Sequence, residues 1–105
     1  MSENQSHHQV DDVVMPKLGM SMTTGVIGTW LVLDGTHVIA EQEIAEIETD
    51  KITTPLLAEK SGYFYEVLPV DSEVEVGTII GLLSSEALMD DELLEIRRGR
   101  VLSNE

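Results

Sequence analysis

From Val10 onward the chain is cut into runs of four to eight residues rich in Val, Ile, Thr and aromatics, each followed by a turn cluster. "VVMP", "VIGTWLVL", "IAEIE", "ITTPLLA", "YFYEVL" and "TIIGLL" alternate with "DGTH", "TDK", "EKSG" and "PVDSE". Strands need only such short runs, whereas an amphipathic helix needs a sustained 3.6-residue period, and no such period competes before residue 86. The pattern predicts a small all-β sandwich or barrel. With 105 residues in all, one domain is expected, burying roughly 60 to 68% of its unfolded surface, with no room for a second core.

The β-rich region repeats itself. "GTWLVLDGTHVIAEQEIAEI" from Gly28 aligns with "GYFYEVLPVDSEVEVGTIIGLL" from Gly62, the second copy carrying a two-residue insertion. Val38 then matches Val74, Gln42 matches Thr78, Ile44 matches Ile80 and Ile47 matches Leu83. A twofold repeat of about four strands predicts two small sheets packed face to face and related by a pseudo-dyad. The segment joining the copies, Glu48 to Ile52, is thereby singled out.

Charge narrows the partners. Twenty acidic residues against six basic ones give a net charge of −14, which repels nucleic-acid phosphates and anionic lipid heads, so neither nucleic acid nor membrane is expected as a partner. The chain has no cysteine, which excludes disulfides and thiolate metal sites. Residues 1–9, "MSENQSHHQ", read as a flexible polar arm. His7 and His8 lack a third ligand at metal-site spacing, so no metal is expected. The N-terminus has neither the apolar core of a signal peptide nor the arginines of a transit peptide, and no apolar run approaches a bilayer span of about 20 residues. A soluble, cytoplasmic domain, monomeric in isolation, is the expectation.

One of the few basic residues, Lys51, stands between the two runs of "EIAEIETDKITTPLLAE". A two-residue hairpin of the primed type wants Gly or Asn at positive φ, and Thr49-Asp50-Lys51-Ile52 contains neither. A type I turn with Asp50 and Lys51 at its centre is predicted instead, projecting the lysine outward among small polar neighbours, Thr49, Thr53 and Thr54. By itself such a lysine is an ordinary surface residue.

Several features in register change that reading. "MPKLGMSMTTG", "GTWLVLDGTHV" and "EIETDKI" resemble the opening segment, second strand and modification hairpin of the lipoyl domains of 2-oxo acid dehydrogenase complexes. Gly35 lies 16 residues before Lys51 and Gly62 lies 11 after it, a spacing similar to that family's around its lysine. The resemblance covers Asp11 to Ser85. Three departures stand out: Glu41 replaces a family glycine, Glu43 replaces a family proline, and the turn taken to mirror Asp34-Gly35 is Asp71-Ser72, without glycine.

The resemblance implies a flattened sandwich of two four-stranded antiparallel sheets, the single hybrid motif, over residues 10–86. It also implies lipoic acid joined to Lys51 by an amide bond, attached by a lipoate ligase or lipoyl transferase. The implied partners are a thiamin-diphosphate-dependent 2-oxo acid dehydrogenase, an acyltransferase domain that delivers the acyl group to coenzyme A, and a dihydrolipoyl dehydrogenase. Glu48, Thr49, Asp50 and Ile52, with Leu18, Gly19 and Met20 in the loop up to Met22, are the expected recognition residues; Gly35 and Gly62 are the expected turn glycines. The opening "MPKLGMSM" is more similar to pyruvate and acetoin members than to 2-oxoglutarate ones. No residue is expected to be catalytic, since no phosphate loop or nucleophile elbow is present and His37 reads as a surface residue.

Two other readings remain. A biotinyl carrier places its lysine on the same fold but flanks it with methionines, where this chain has Asp50 and Ile52; a binding module would leave the lysine unmodified. In residues 87–105, Leu88, Met89, Leu93, Leu94 and Ile96 recur at helical spacing, Asp90, Asp91 and Glu92 precede Arg97 and Arg98, and Gly99 is a candidate stop. The resemblance implies a Pro- and Ala-rich linker after the domain in multidomain acyltransferases. "EALMDDELLEIRRGRVLSNE" has no proline and one alanine, which leaves open whether the chain belongs to a larger acyltransferase or is a free-standing carrier.

Overall fold

The computed structural model describes residues 9–105; the expected arm at residues 1–9, all but its last residue, and the His7–His8 pair lie outside the described residues. Eight strands follow one another: β1 (Val10–Val14), β2 (Thr24–Trp30), β3 (Thr36–Val38), β4 (Glu43–Glu48), β5 (Thr53–Leu57), β6 (Gly62–Glu66), β7 (Glu73–Glu75) and β8 (Ile79–Ser84). One helix, α1 (Asp90–Ser103), comes last. The strands form two antiparallel sheets, ordered β1-β8-β6-β3 and β5-β4-β2-β7. Moving each strand four places along the chain converts the first order into the second, so the expected pseudo-dyad is present as an exchange of the two sheets.

Each sheet turns alternate side chains inward, as period-two patterning requires. Val38, Ile44, Ala58, Phe64 and Leu83 form one buried cluster, and Met15, Ile27, Ile47 and Ile80 form the other. Trp30 and Phe64, equivalent residues of the repeat, meet at 5.0 Å between ring centroids, a contact contributing about 1 kcal/mol beyond its area. The indole N–H of Trp30 donates to the Leu68 carbonyl at 2.9 Å, so its burial leaves no polar group unmet.

The repeat also governs the backbone. Among the described residues positive φ occurs at Gly35 (84°), Glu41 (74°), Asp71 (70°) and Gly77 (94°). These are two equivalent pairs, Gly35 with Asp71 and Glu41 with Gly77, each 36 residues apart. The partner of Gly35 is therefore Asp71 and not Ser72: the two-residue insertion precedes the turn, so the copies are already 36 residues apart there rather than the 34 of Trp30 and Phe64. Gly62 is not a turn glycine either. It opens β6, and a Cβ there would stand 2.8 Å from the Ser84 carbonyl oxygen of β8.

The tail forms α1, which runs through Gly99 to Ser103, so Gly99 does not stop it. Packing fixes this end more strongly than the roughly 1 kcal/mol penalty of a helical glycine opposes it. Arg97 pairs with Asp34 and Arg100 with Asp12, while the Leu88 N–H donates to the Tyr65 hydroxyl at 2.8 Å. Asp12, Leu82 and Tyr65 are register partners across β1, β8 and β6. Leu82 and Tyr65 belong to neither core cluster, yet they are 0% and 4% exposed. With α1 anchored on both sides of them, the helix forms a third layer over this sheet, its half-buried Leu93, Ile96, Arg97 and Arg100 recurring on one helical face.

Candidate functional site

The site grows from the hairpin that joins the two halves. β4 and β5 pair from Glu43–Leu57 to Glu48–Thr53, leaving Thr49 to Ile52 as the connection. The Thr49 N–H donates to the Ile52 carbonyl at 2.9 Å, and the Thr49 hydroxyl accepts from the amides of Lys51 (3.4 Å) and Ile52 (3.2 Å). Threonine thus supplies from its side chain the acceptor that a primed turn would supply from its backbone. Neither Asp50 nor Lys51 has positive φ, in keeping with an unprimed turn centred on them.

Lys51 is exposed and makes no ion pair with any described residue. A primary amine displayed this way can be acylated without breaking any contact of the fold, so the donor needed for an amide-linked prosthetic group is present. The Glu48 carboxylate leans back over β2, where a Cβ on Gly28 would stand 2.6 Å from its oxygen.

An open groove runs beside the tip. Leu18, Gly19, Ser21 and Met22 form one wall, Glu48 to Ile52 the other, with Thr23 to Val26 and Glu73 between. The loop wall is held locally: the Leu18 N–H points to the Met22 sulfur at 3.1 Å and the Met22 N–H donates to the Gly19 carbonyl at 3.1 Å. Met22 lies close over β2 because residue 25 is glycine; a Cβ there would meet the Met15 sulfur at 2.7 Å and the Met22 methyl at 2.8 Å. Of the expected recognition residues, Leu18, Gly19, Glu48, Thr49, Asp50 and Ile52 share this groove with Lys51. Met20 does not. It is 96% exposed and lines, with Lys17, Leu18 and Gly19, a separate shallow hollow.

Glu73 was not anticipated at the site. It arrives there because β7 pairs with β2, Glu73 opposite Val26. The repeat held the signal, since β3 beside β6 in one sheet requires β7 beside β2 in the other. No group of His, Cys, Asp and Glu among the described residues has metal-binding geometry, and no described helix is long and apolar enough to cross a membrane.

Two equivalent sheets with an exposed lysine at the tip of the hairpin between them form a scaffold that presents a primary amine. Comparison with known proteins agrees. The family model described as "Biotin-requiring enzyme" matches residues 11–83, and the chain belongs to this biotin/lipoyl attachment family. It is 39% identical over 77 residues to the dihydrolipoyllysine-residue succinyltransferase component of the Bacillus subtilis 2-oxoglutarate dehydrogenase complex, covering 72% of this chain and 18% of that protein. Over 86 residues it is 30% identical to the dihydrolipoyllysine-residue acetyltransferase component of the Pseudomonas putida acetoin cleaving system (81% and 23% covered). The lipoyl domain of the Azotobacter vinelandii 2-oxoglutarate dehydrogenase complex matches with a TM-score of 0.58 and 29% identity, covering 73% of this chain and 98% of that one. The chain thus spans less than a quarter of these two curated relatives, and 2-oxoglutarate and acetoin systems both stand among them.

Proposed function

We propose that the domain is a lipoyl carrier, with lipoic acid amide-linked to Lys51. The exposed lysine at the tip of the joining hairpin, in a chain whose relatives are named as dihydrolipoyllysine acyltransferase components, carries this reading. Lys51 would hold the group through its amide, and the dithiolane would supply the chemistry of reductive acylation with a thiamin-diphosphate-dependent 2-oxo acid dehydrogenase, acyl transfer to coenzyme A at an acyltransferase and reoxidation at a dihydrolipoyl dehydrogenase. The protein's own residues hold and present it. Thr49 fixes the turn, and the β4–β5 ladder beneath keeps the Lys51 stem on a rigid base while leaving its end free. Tethering turns a diffusional encounter into an intramolecular one, at an effective concentration up to about millimolar.

Glu48, Asp50, Ile52, Leu18 and Gly19 form the surface a partner enzyme reads beside the lysine, with Met20 as an apolar contact on the loop's outer side. The domain performs no catalysis of its own.

Co-expression with a lipoate ligase, and separately with a biotin ligase, followed by intact mass and peptide mapping tests the reading. Lipoylation confined to Lys51 is expected; biotinylation, or a lipoyl group elsewhere, overturns it. Exchanging Asp50 and Lys51 keeps composition and charge but redirects the amine. That variant should fold like the parent and be lipoylated slowly, whereas Asp50→Ala should still be modified.

A further inference from the structure

The family match ends at residue 83, so α1 lies outside what the family model describes. Its far end nevertheless reaches the foundation of the loop beside Lys51. The Asn104 carboxamide is bidentate on one residue of β8, its Oδ1 accepting from the Ile79 N–H at 2.8 Å and its Nδ2 donating to the Ile79 carbonyl at 2.9 Å. This happens past the last β6–β8 pair, Glu66–Gly81, where a side chain takes the place of a departing strand.

The turn just before Ile79 grips both roots of the loop. The Met15 N–H donates to the Thr78 carbonyl at 2.8 Å, the Gly77 N–H to the Met15 carbonyl at 2.9 Å, and the Val76 N–H to the Thr23 carbonyl at 2.9 Å. Residues 16–22 are the span between those roots, and Leu18, Gly19, Ser21 and Met22 supply the groove wall facing Lys51. The equivalent turn in the other half makes the same bonds, Glu41 N–H to Ala58 carbonyl at 2.7 Å and Ala58 N–H to Gln42 carbonyl at 2.8 Å. Among the described residues it has no counterpart of Asn104, so the molecule contains its own control.

We infer that Asn104 is a positioning residue for the 16–22 loop, and that docked α1 thereby belongs to the surface through which enzymes recognise Lys51. The coupling is short and continuous: Asn104 to Ile79, Ile79 to the Val76–Thr78 turn, and that turn to Met15 and Thr23. The recognition half of this inference rests on the lipoyl-carrier reading; the positioning half does not.

The test compares the full chain with Asn104→Ala and Asn104→Gln. Amide hydrogen exchange at Met15, Leu18 and Met22 should quicken about tenfold in the alanine variant, the factor expected for one to two lost hydrogen bonds. Exchange at Glu41 and Ala58 should stay unchanged, and glutamine should restore part of the protection. With a bacterial lipoate ligase, lipoate and ATP, the KM for the alanine variant should rise about threefold to fivefold at unchanged kcat, the mark of lost uniform binding. Unchanged exchange at Met15, Leu18 and Met22, or an equal rise at Glu41 and Ala58, overturns the positioning role. Local loosening with an unaltered KM overturns the recognition role. Absence of lipoylation at Lys51 in the parent chain refutes the carrier reading and the recognition half with it, and the exchange data still decide the positioning half.

Discussion

Leu82 in β8 and Glu46 in β4 occupy equivalent places in the two halves, and their surroundings are opposite. Leu82 is 0% exposed while Glu46 stands in solvent. The same holds for the next equivalent pair, Tyr65 at 4% and Leu31 at 45%. One strand order therefore carries two different outer faces: the sheet of β1, β8, β6 and β3 has α1 over it, and the sheet that bears Lys51 has no helix over it among the described residues. A duplicated fold needs its inner faces alike, because they share a core. Its outer faces are free to diverge, and here one is spent on stability while the other stays open beside the lysine.

The sharpest way to break this comparison is to truncate the equivalent residues. Leu82→Ala should cost about 3 kcal/mol, as for a well-packed buried leucine, and Glu46→Ala should stay within about 0.5 kcal/mol of the parent. Urea unfolding of both variants checks it. Similar losses at the two sites would mean that the outer faces are not different environments.

Ending the chain after Glu86 strips the third layer whole. Tyr65 and Leu82 return to water, Arg97 and Arg100 leave Asp34 and Asp12, and the ordering entropy of the helix is recovered in part. A net loss of about 2 kcal/mol, or roughly 10 °C in melting temperature, is expected. A truncated chain that melts with the parent would reduce α1 to an appendage.

Much of this was legible in the sequence. The short runs gave six of the eight strands, while β3 and β7 begin inside the clusters read as turns, "DGTH" and "PVDSE"; the repeat gave the pair of equivalent sheets, and the placement of β7 was contained in it but not read from it. The tip of the joining hairpin was legible because a type I turn could be argued from what Asp50 and Lys51 lack. What was hidden depended on distant packing. Gly99 reads as a helix stop, yet the helix end is fixed by Asn104 on Ile79 and by the arginine pairs, which no local propensity contains. Tyr65 and Leu82 sit in strands whose inner residues already fill the core, so nothing local says that their outer face is covered.

A smaller effect sharpens the comparison at the backbone. In each equivalent pair of left-handed residues one member is glycine and the other an acid: Gly35 with Asp71, and Gly77 with Glu41. A Cβ at Gly77 would meet nothing within 4 Å, so Gly77→Ala isolates the conformational cost, about 1 kcal/mol. Glu41→Gly should return slightly less than that, since glycine also gains freedom in the unfolded chain. Thermal melts in opposite directions are expected. If Glu41→Gly fails to stabilise, some interaction of the glutamate side chain offsets its backbone strain.

The smallest effect lies where the halves differ in charge. Glu66 aligns with Val32, an apolar residue packed on the core, and burial raises the Glu66 pKa above its ordinary 4.5, with the Asp34 charge adding to the rise and Arg97 opposing it. A carboxyl whose folded pKa is raised binds its proton more tightly in the native state, so its ionised form is a burden at neutral pH. That burden is full above the folded pKa and disappears as pH falls below the unfolded value. Glu66→Gln should therefore melt about 1 to 2 °C above the parent at pH 7, the difference vanishing near pH 4. Acid also neutralises Asp34 and Asp12 and weakens the arginine pairs in both proteins alike, so the difference between the two melting curves, rather than either curve, reports on Glu66. A gain that persists at pH 4, or a loss at pH 7, would show that the glutamate contributes through packing or through Arg97 and not as a strained charge.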